Sequence, residues 1–292
     1  MRRNVATILR NRNLSRSLAG DIVILLFLCG GGIFMALPLV YAAGNAFKPL
    51  DELFLFPPRF VPRRPTFQNF TDLFLLMEQS WIPLSRYFFN SVFIVSFALA
   101  GNLAVCSIAA YVLSKHDFPG RKLINEVIIL SLMFSGAVTV IPNYLTLSWL
   151  GFIDSYWAIV VPAWAQTLGL YLMKKFIDSM VHDSLIQAAR IDGAGELTIF
   201  ARVVMPIVKP AWLTLIIINF QVMWRNTGDV FIYSEPLKPL PYALSQVAGG
   251  GIARVGAASV VTLFIMAVPI GVFIFNQSRI VETMGTSGMT GE

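Results

Sequence analysis

The stretch Gln187-Ala188-Ala189-Arg190-Ile191-Asp192-Gly193 continues through Ala194-Gly195-Glu196 to Val203-Val204-Met205-Pro206 and Pro210. It is the polar interruption around which the rest of the chain is organised: the other long segments are apolar enough to lie in lipid, and this one is not. Ser184 with Gln187 three residues later predicts a capping box opening a short helix, and Gly193 stands where a left-handed C-terminal cap would end it. A second helix is expected after the turn. Leu197, Phe200, Val203 or Val204, and Ile207 recur at helical spacing until Pro206 and Pro210 interrupt the backbone ladder. Ala188 and Ala189 in the first helix are small enough for a partner to approach closely.

Working outward, the 292 residues are 56% hydrophobic and only 13% charged, with a mean hydropathy of +0.70. Soluble domains carry about a quarter charged residues, so the composition predicts a polytopic, all-α integral membrane protein. The net charge of +6 is not a nucleic-acid signature, because basic residues flanking apolar spans are the usual orientation signal in a membrane. Cys29 and Cys106 both fall inside apolar runs and give no disulfide framework. His116 and His182 lie far apart in polar turns, so no metal site is expected, and no catalytic set is visible.

Spans are expected at about 21–43, 88–113, 123–141, 157–173, 211–233 and 256–275, which makes six helices with both termini on one side. Residues 1–20 form a basic tail and 21–292 a single transmembrane domain. The first apolar run is about 23 residues, longer than the core of a signal peptide and enough to cross a bilayer. Basic residues in the tail (Arg2, Arg3, Arg10, Arg12, Arg16), in 114–122 and in 174–210 outnumber those in the alternate loops. That bias places the termini and the 183–206 loop in the cytoplasm of a multi-pass cell-membrane protein. Lys48, Arg59, Arg63, Arg64 and Arg86, in the long external connection from Gly44 to Tyr87, run against the bias. Pro38, Pro162 and Pro269 fall within spans as tolerated kinks. Trp224, Arg225, Asn226 and Asp229 are the polar cluster of the fifth span. Arg225 and Asp229, four residues apart on one helix, would share a face and are expected to look into the bundle interior.

The loop resembles the cytoplasmic EAA loop of permease subunits in binding-protein-dependent ABC importers: Glu-Ala-Ala, three residues, Gly, nine residues, then Ile-x-Leu-Pro. Ala188, Ala189, Gly193 and Pro206 match in place, with Val203 and Met205 as conservative stand-ins. Asp192-Gly193-Ala194 and Pro210 fit the carbohydrate branch, the maltose and glycerol-phosphate type. Thr66-Phe67-Gln68-Asn69-Phe70 is similar to the Thr-x-x-Asn-Tyr stretch of the same branch, and Trp224-Arg225-Asn226 falls where many sugar permeases place Trp-Asn-x near the pathway. Gln187 replaces the family's Glu, and His182 a usual Pro. The resemblance implies a helix-turn-helix coupling loop over 183–206 that docks on an ATPase through Gln187, Ala188, Ala189, Asp192, Gly193, Ala194, Phe200 and Pro206. It further implies a second permease, two cytoplasmic ATPase subunits and an extracytoplasmic solute-binding protein delivering a sugar. ATP and Mg would be bound by the ATPases, since no Gly-rich loop ending in Gly-Lys-Ser/Thr occurs in this chain.

Two other classes compete. A secondary transporter of a small polar solute would show related repeats and intramembrane ionisable residues, and only Arg225 and Asp229 are candidates. An intramembrane enzyme would need paired carboxylates or a Ser-His set at matching depth, and none is present. The chain is therefore read as a permease without enzymatic activity of its own.

Overall fold

The computed structural model of the chain describes residues 18–78, 81–251 and 254–287, with side chains from 20 to 274 within those ranges. Most of the basic tail and the last residues, 288–292, lie outside the described residues. Among these residues the protein is all-helical. The long apolar runs become α1 (Leu18–Ala46), α3 (Leu84–Lys115) and α12 (Val255–Ser287), separated and followed by shorter pieces. α2 (Gln68–Glu78) precedes α3, and then come α4 (Arg121–Ser131), α5 (Gly136–Trp149), α6 (Trp157–Trp164) and α7 (Thr167–Met180). The polar interruption forms α8 (Asp183–Ile191) and the irregular helix α9 (Glu196–Ile207). α10 (Lys209–Trp224) and α11 (Leu240–Ala248) lead into α12.

Three of these helices are long and apolar enough to cross a membrane, and up to five spans result if each of two sharply bent pairs, α4 with α5 and α9 with α10, counts as one. α1 turns its apolar side chains outward, Phe27 and Met35 being 80% and 79% exposed, as lipid contact requires in a helix without a polar face. α3 is about 48 Å long at 1.5 Å per residue, well beyond a hydrocarbon core of about 30 Å. Its last turns reach the polar loop and pack against it.

Three expected spans differ from straight helices. The 123–141 span breaks at Leu132–Ser135, with a 115° bend between α4 and α5. There Ser135 caps a new helix by accepting from the Ala137 amide, a stop that hydropathy alone does not register. The 157–173 span breaks after Trp164, two residues beyond Pro162, whose ring removes a ladder donor. The carbonyl of Ala163, left without an intrahelical donor where the helix ends, accepts from Asn102 Nδ2 at 2.7 Å. The 211–233 span ends at Trp224. The Gly44–Tyr87 connection is likewise more ordered than a polar loop. Buried Asn69 donates to the carbonyls of Ala46 and Lys48 (3.0 and 2.7 Å), and Glu52 accepts the Arg63 and Arg64 amides. The tail after Ser278 continues α12 to Ser287.

Three apolar clusters fill the described bundle, a small one of Ile94, Ile159, Val160 and Ile232 and two larger ones. One joins α2, the start of α3, α11 and α12 through Leu73, Met77, Tyr87, Leu244, Val247 and Val260. The other lies at the opposite end of α3, under the helix-turn-helix.

Candidate functional site

The turn behaves as its glycine predicts. Gly193 has φ +81°, its amide bonds to the Arg190 carbonyl, and the Ala194 amide reaches back to Ala189, both at 3.0 Å. This is the doubly bonded glycine cap that closes a helix by satisfying its last carbonyls. The N-terminal expectation fails. α8 begins at Asp183 with His182 at the cap position and no side-chain capping bond, so Ser184 and Gln187 form no capping box. The start is fixed from outside instead. Lys115, at the end of α3, donates to the Val181 carbonyl at 2.6 Å and to Asp183 at 2.7 Å, and the helix starts two residues earlier than a Ser184 cap would set it.

α9 also departs from a plain apolar stripe. A π-helical turn over Phe200–Val204 inserts an extra residue, which rotates the later positions relative to the earlier ones. Ile199, Val204 and Val208 are fully buried, whereas Leu197, expected on the same face, is 83% exposed. Phe200 and Val203 are half-buried against Tyr111 and its neighbours. Pro206 is exposed.

The body of the loop is seated on α3 and α7. Ile186, Ile199, Val204 and Val208 pack with Ala110, Tyr111, Met173, Ile177 and Val181. Above that seat the carboxylate of Glu196 gathers three elements. It accepts from Tyr111 Oη at 2.8 Å, lies 3.2 Å from His116 Nε2, and takes the Arg190 guanidinium at 2.8 Å. The Lys115 ammonium beside Asp183 holds that carboxyl below the usual carboxylate range. Sequence reasoning missed Glu196, Tyr111 and Lys115, and the available signal was a polar residue in the last turns of a span longer than the bilayer.

Away from the seat the loop is open. Gln187, Ala188, Asp192 and Gly193 are exposed, and Ala189 and Ala194 are half-buried. Ile191 is 87% exposed. Gln187 lies in a groove of about 260 Å³ with Lys115, Arg121, Asp183 and Arg190, and makes no hydrogen bond among the described residues.

The second candidate cluster lies at and beyond a helix end, Trp224 being the last residue of α10. α10 stops at Trp224, and residues 225–229 turn away from it, so Arg225 and Asp229 share no helix face and form no ion pair. Asn226 Oδ1 accepts the Gly228 amide at 2.8 Å. Asp229 takes a bond from Thr227 at 2.6 Å and faces buried Lys238 at 3.6 Å. Trp224 is buried and Arg225 is exposed. The segment that follows is clasped to its neighbours. Asp154 accepts the Tyr233 and Ser234 amides (2.9 and 2.7 Å), and Asn90 donates to the Pro236 and Lys238 carbonyls (2.9 and 2.8 Å). The Ser234 hydroxyl, with the two amides, lowers the Asp154 pKa from its ordinary value. Among the described residues no group of His, Cys, Asp and Glu is placed to hold a metal.

A multi-pass helical membrane protein with an exposed, glycine-capped helix-turn-helix seated on a long span is the architecture of a transport-system membrane component. The sequence profile of the family described as "Binding-protein-dependent transport system inner membrane component" matches residues 102–283, and the chain belongs to that family. Protein LplC of Bacillus subtilis is 30% identical over 234 residues, covering 78% of this chain and 75% of the relative. The galactooligosaccharides transport system permease protein GanQ of the same organism is 28% identical over 267 residues, 89% and 92% of the two chains. Among solved structures, a chain of a bacterial ABC transporter involved in the import of the acidic polysaccharide alginate superposes with a TM-score of 0.75 at 20% identity. That match spans 91% of this chain and 99% of the other, and it shows the shared fold.

Proposed function

We propose that this protein is one permease subunit of an ATP-driven importer, forming half of the translocation pathway for a sugar or oligosaccharide handed over by an extracytoplasmic binding protein. The observation that carries the reading is the glycine-capped helix-turn-helix at 183–206, matching the family's motif and presenting Ala188, Asp192 and Gly193 to a partner. Exposed Ile191 and Leu197 fit the same reading, since large apolar side chains left open beside a polar rim mark an interaction surface. The sugar class is supported by the names of the relatives, galactooligosaccharides for GanQ and alginate for the structural neighbour.

In this reading the loop and both termini are cytoplasmic, the broken helix α6–α7 supplies a sixth span, and the second permease is a different chain. Two ATPase subunits bind ATP and Mg and close on nucleotide; the docked loop moves with them, and the spans switch from inward-facing to outward-facing. This chain has no enzymatic step. Gln187 supplies a neutral hydrogen bond where the family has a carboxylate. Trp224, Arg225, Asn226 and Asp229 lie at the extracytoplasmic mouth of the pathway, not at mid-membrane.

The test is co-purification with the ATPase, the second permease and the binding protein, followed by identification of the binding protein's ligand and reconstitution. Ala188→Asp and Gly193→Asp put a charge into the contact and should abolish binding-protein-stimulated ATP hydrolysis. Stimulation unchanged in both variants would reject the docking assignment, and a non-saccharide ligand would reject the substrate class.

A further inference from the structure

The helix-turn-helix is joined to the rest of the bundle on two sides. Toward α3 the connection is dense: Glu196 receives Tyr111 Oη at 2.8 Å and the Arg190 guanidinium at 2.8 Å, with His116 at 3.2 Å. Lys115 clamps the front of α8 through Val181 and Asp183. Below these bonds lies a continuous apolar core that includes fully buried Ile177, Ile199 and Val204. Toward α10 the helical ladder is interrupted by the π-helical turn Phe200–Val204, Pro206, the non-helical Val208 and Pro210, and the chain bends by 77° between α9 and α10. The packing nevertheless continues, since Ala211 and Leu215 of α10 belong to the same core and Trp212 Nε1 donates to the Met205 carbonyl at 3.2 Å.

We infer that Glu196 is a positioning residue that locks the helix-turn-helix to α3, so that the loop and α3 move as one body. Tyr111 is the α3 side of that lock. Its hydroxyl is held by a carboxylate belonging to the loop, a charge-assisted bond at the rim of the core, stronger than a neutral one. Arg190 ties the same carboxylate to α8, so one side chain unites α3, α8 and α9. The inference rests on the reading of 183–206 as the ATPase-docking segment.

The experiment uses the complete importer reconstituted in nanodiscs, with nitroxide pairs in a Cys29→Ala, Cys106→Ala background. Labels replace exposed Thr198 on α9 and Ile108 on α3. The Thr198–Ile108 distance is expected to stay constant between the nucleotide-free and ATP-trapped states. A Thr198–Ile108 distance that differs between the two states overturns the inference. In the second arm, Tyr111→Phe keeps the ring and removes the bond. It should leave assembly and basal ATP hydrolysis in place while substrate transported per ATP falls about tenfold, the scale of one hydrogen bond to a charged group. Glu196→Gln should fall in the same direction. Reduced thermal stability with an unchanged transport-to-ATP ratio would make the contact merely structural and overturn the lock. If Ala188→Asp abolishes stimulated hydrolysis and Tyr111→Phe changes nothing, the lock fails and the docking reading stands. If Ala188→Asp also changes nothing, the docking reading itself fails.

Discussion

Asn219 Nδ2 donates to Asn102 Oδ1 at 2.6 Å, joining α10 to α3 well inside both apolar helices, with the two residues 5% and 2% exposed. Asn102 also satisfies the Ala163 carbonyl released by the break after α6, so a single amide holds three helices. A buried polar group left without a partner costs about 1–3 kcal/mol, and a bond between helices in a membrane contributes about 0.6–2 kcal/mol. Asn102→Leu strands both the carbonyl and the Asn219 amide and should destabilise by about 2 kcal/mol or more. Asn219→Leu breaks one bond and should cost about 1 kcal/mol. Unfolding of the detergent-solubilised protein, followed by tryptophan fluorescence, should give that order. The reverse order would show that Asn102 does not support the broken helix.

Glycines separate steric from conformational cost. A Cβ on Gly101 would lie 2.0 Å from Trp164 Nε1, and that indole is held in place by its bond to the Phe97 carbonyl at 3.0 Å. Gly101→Ala should therefore cost about 1–3 kcal/mol through overpacking of α3 against α6. A Cβ on Gly193 meets nothing within 4 Å, so Gly193→Ala should cost only the left-handed conformation, about 1 kcal/mol. Gly193→Asn, which tolerates positive φ, should cost less. Equal losses in Gly193→Ala and Gly193→Asn would mean that the cap is not left-handed.

The Asp154 clasp sets a pH dependence with a definite sign. Its folded-state pKa lies below the ordinary value, so its contribution is full above the unfolded value of about 4 and is lost as pH falls through the lower, folded one. Hydrogen-exchange protection of the Tyr233 and Ser234 amides, corrected for intrinsic rates, should be steady at neutral pH and decline below about pH 4. Asp154→Asn should lower protection at neutral pH and remove the decline. A decline that persists in Asp154→Asn would assign it to another group.

Much of this was legible in the sequence wherever one residue decides one local geometry. Gly193 fixed the cap, the long apolar runs gave α1, α3 and α12, and Thr66-Phe67-Gln68-Asn69-Phe70 marked a real anchor in Asn69. The failures came where distant side chains decide. Lys115 moved the start of α8, so Ser184 did not cap it. A π turn displaced Leu197 from the buried face, which periodicity cannot anticipate. Hydropathy is indifferent to a break that leaves composition unchanged, and so 123–141 and 157–173 read as single spans. The pathway cluster was misplaced for the same reason, because the apolar run outlasts the helix that ends at Trp224.

That displacement changes what Arg225 and Asn226 are expected to do. Arg225 is exposed and its side chain makes no hydrogen bond or ion pair among the described residues, so Arg225→Ala should alter stability by no more than about 0.5 kcal/mol. Asn226 supports its own turn through the Gly228 amide at 2.8 Å, so Asn226→Ala should loosen 225–229 and affect transport whether or not the side chain meets substrate. Arg225→Ala is therefore the clean probe of the pathway. If Arg225 contacts the incoming solute, the variant should raise the KM for transport of the binding-protein-delivered substrate while assembly, stability and basal ATP hydrolysis hold. A cysteine at 225 should react with a membrane-impermeant thiol reagent from the extracytoplasmic side without nucleotide, since the residue lies beyond the helix end. Unaltered transport in Arg225→Ala, or no labelling at 225 in any nucleotide state, would remove this cluster from the pathway and leave Asn226 and Asp229 as the framework of a turn.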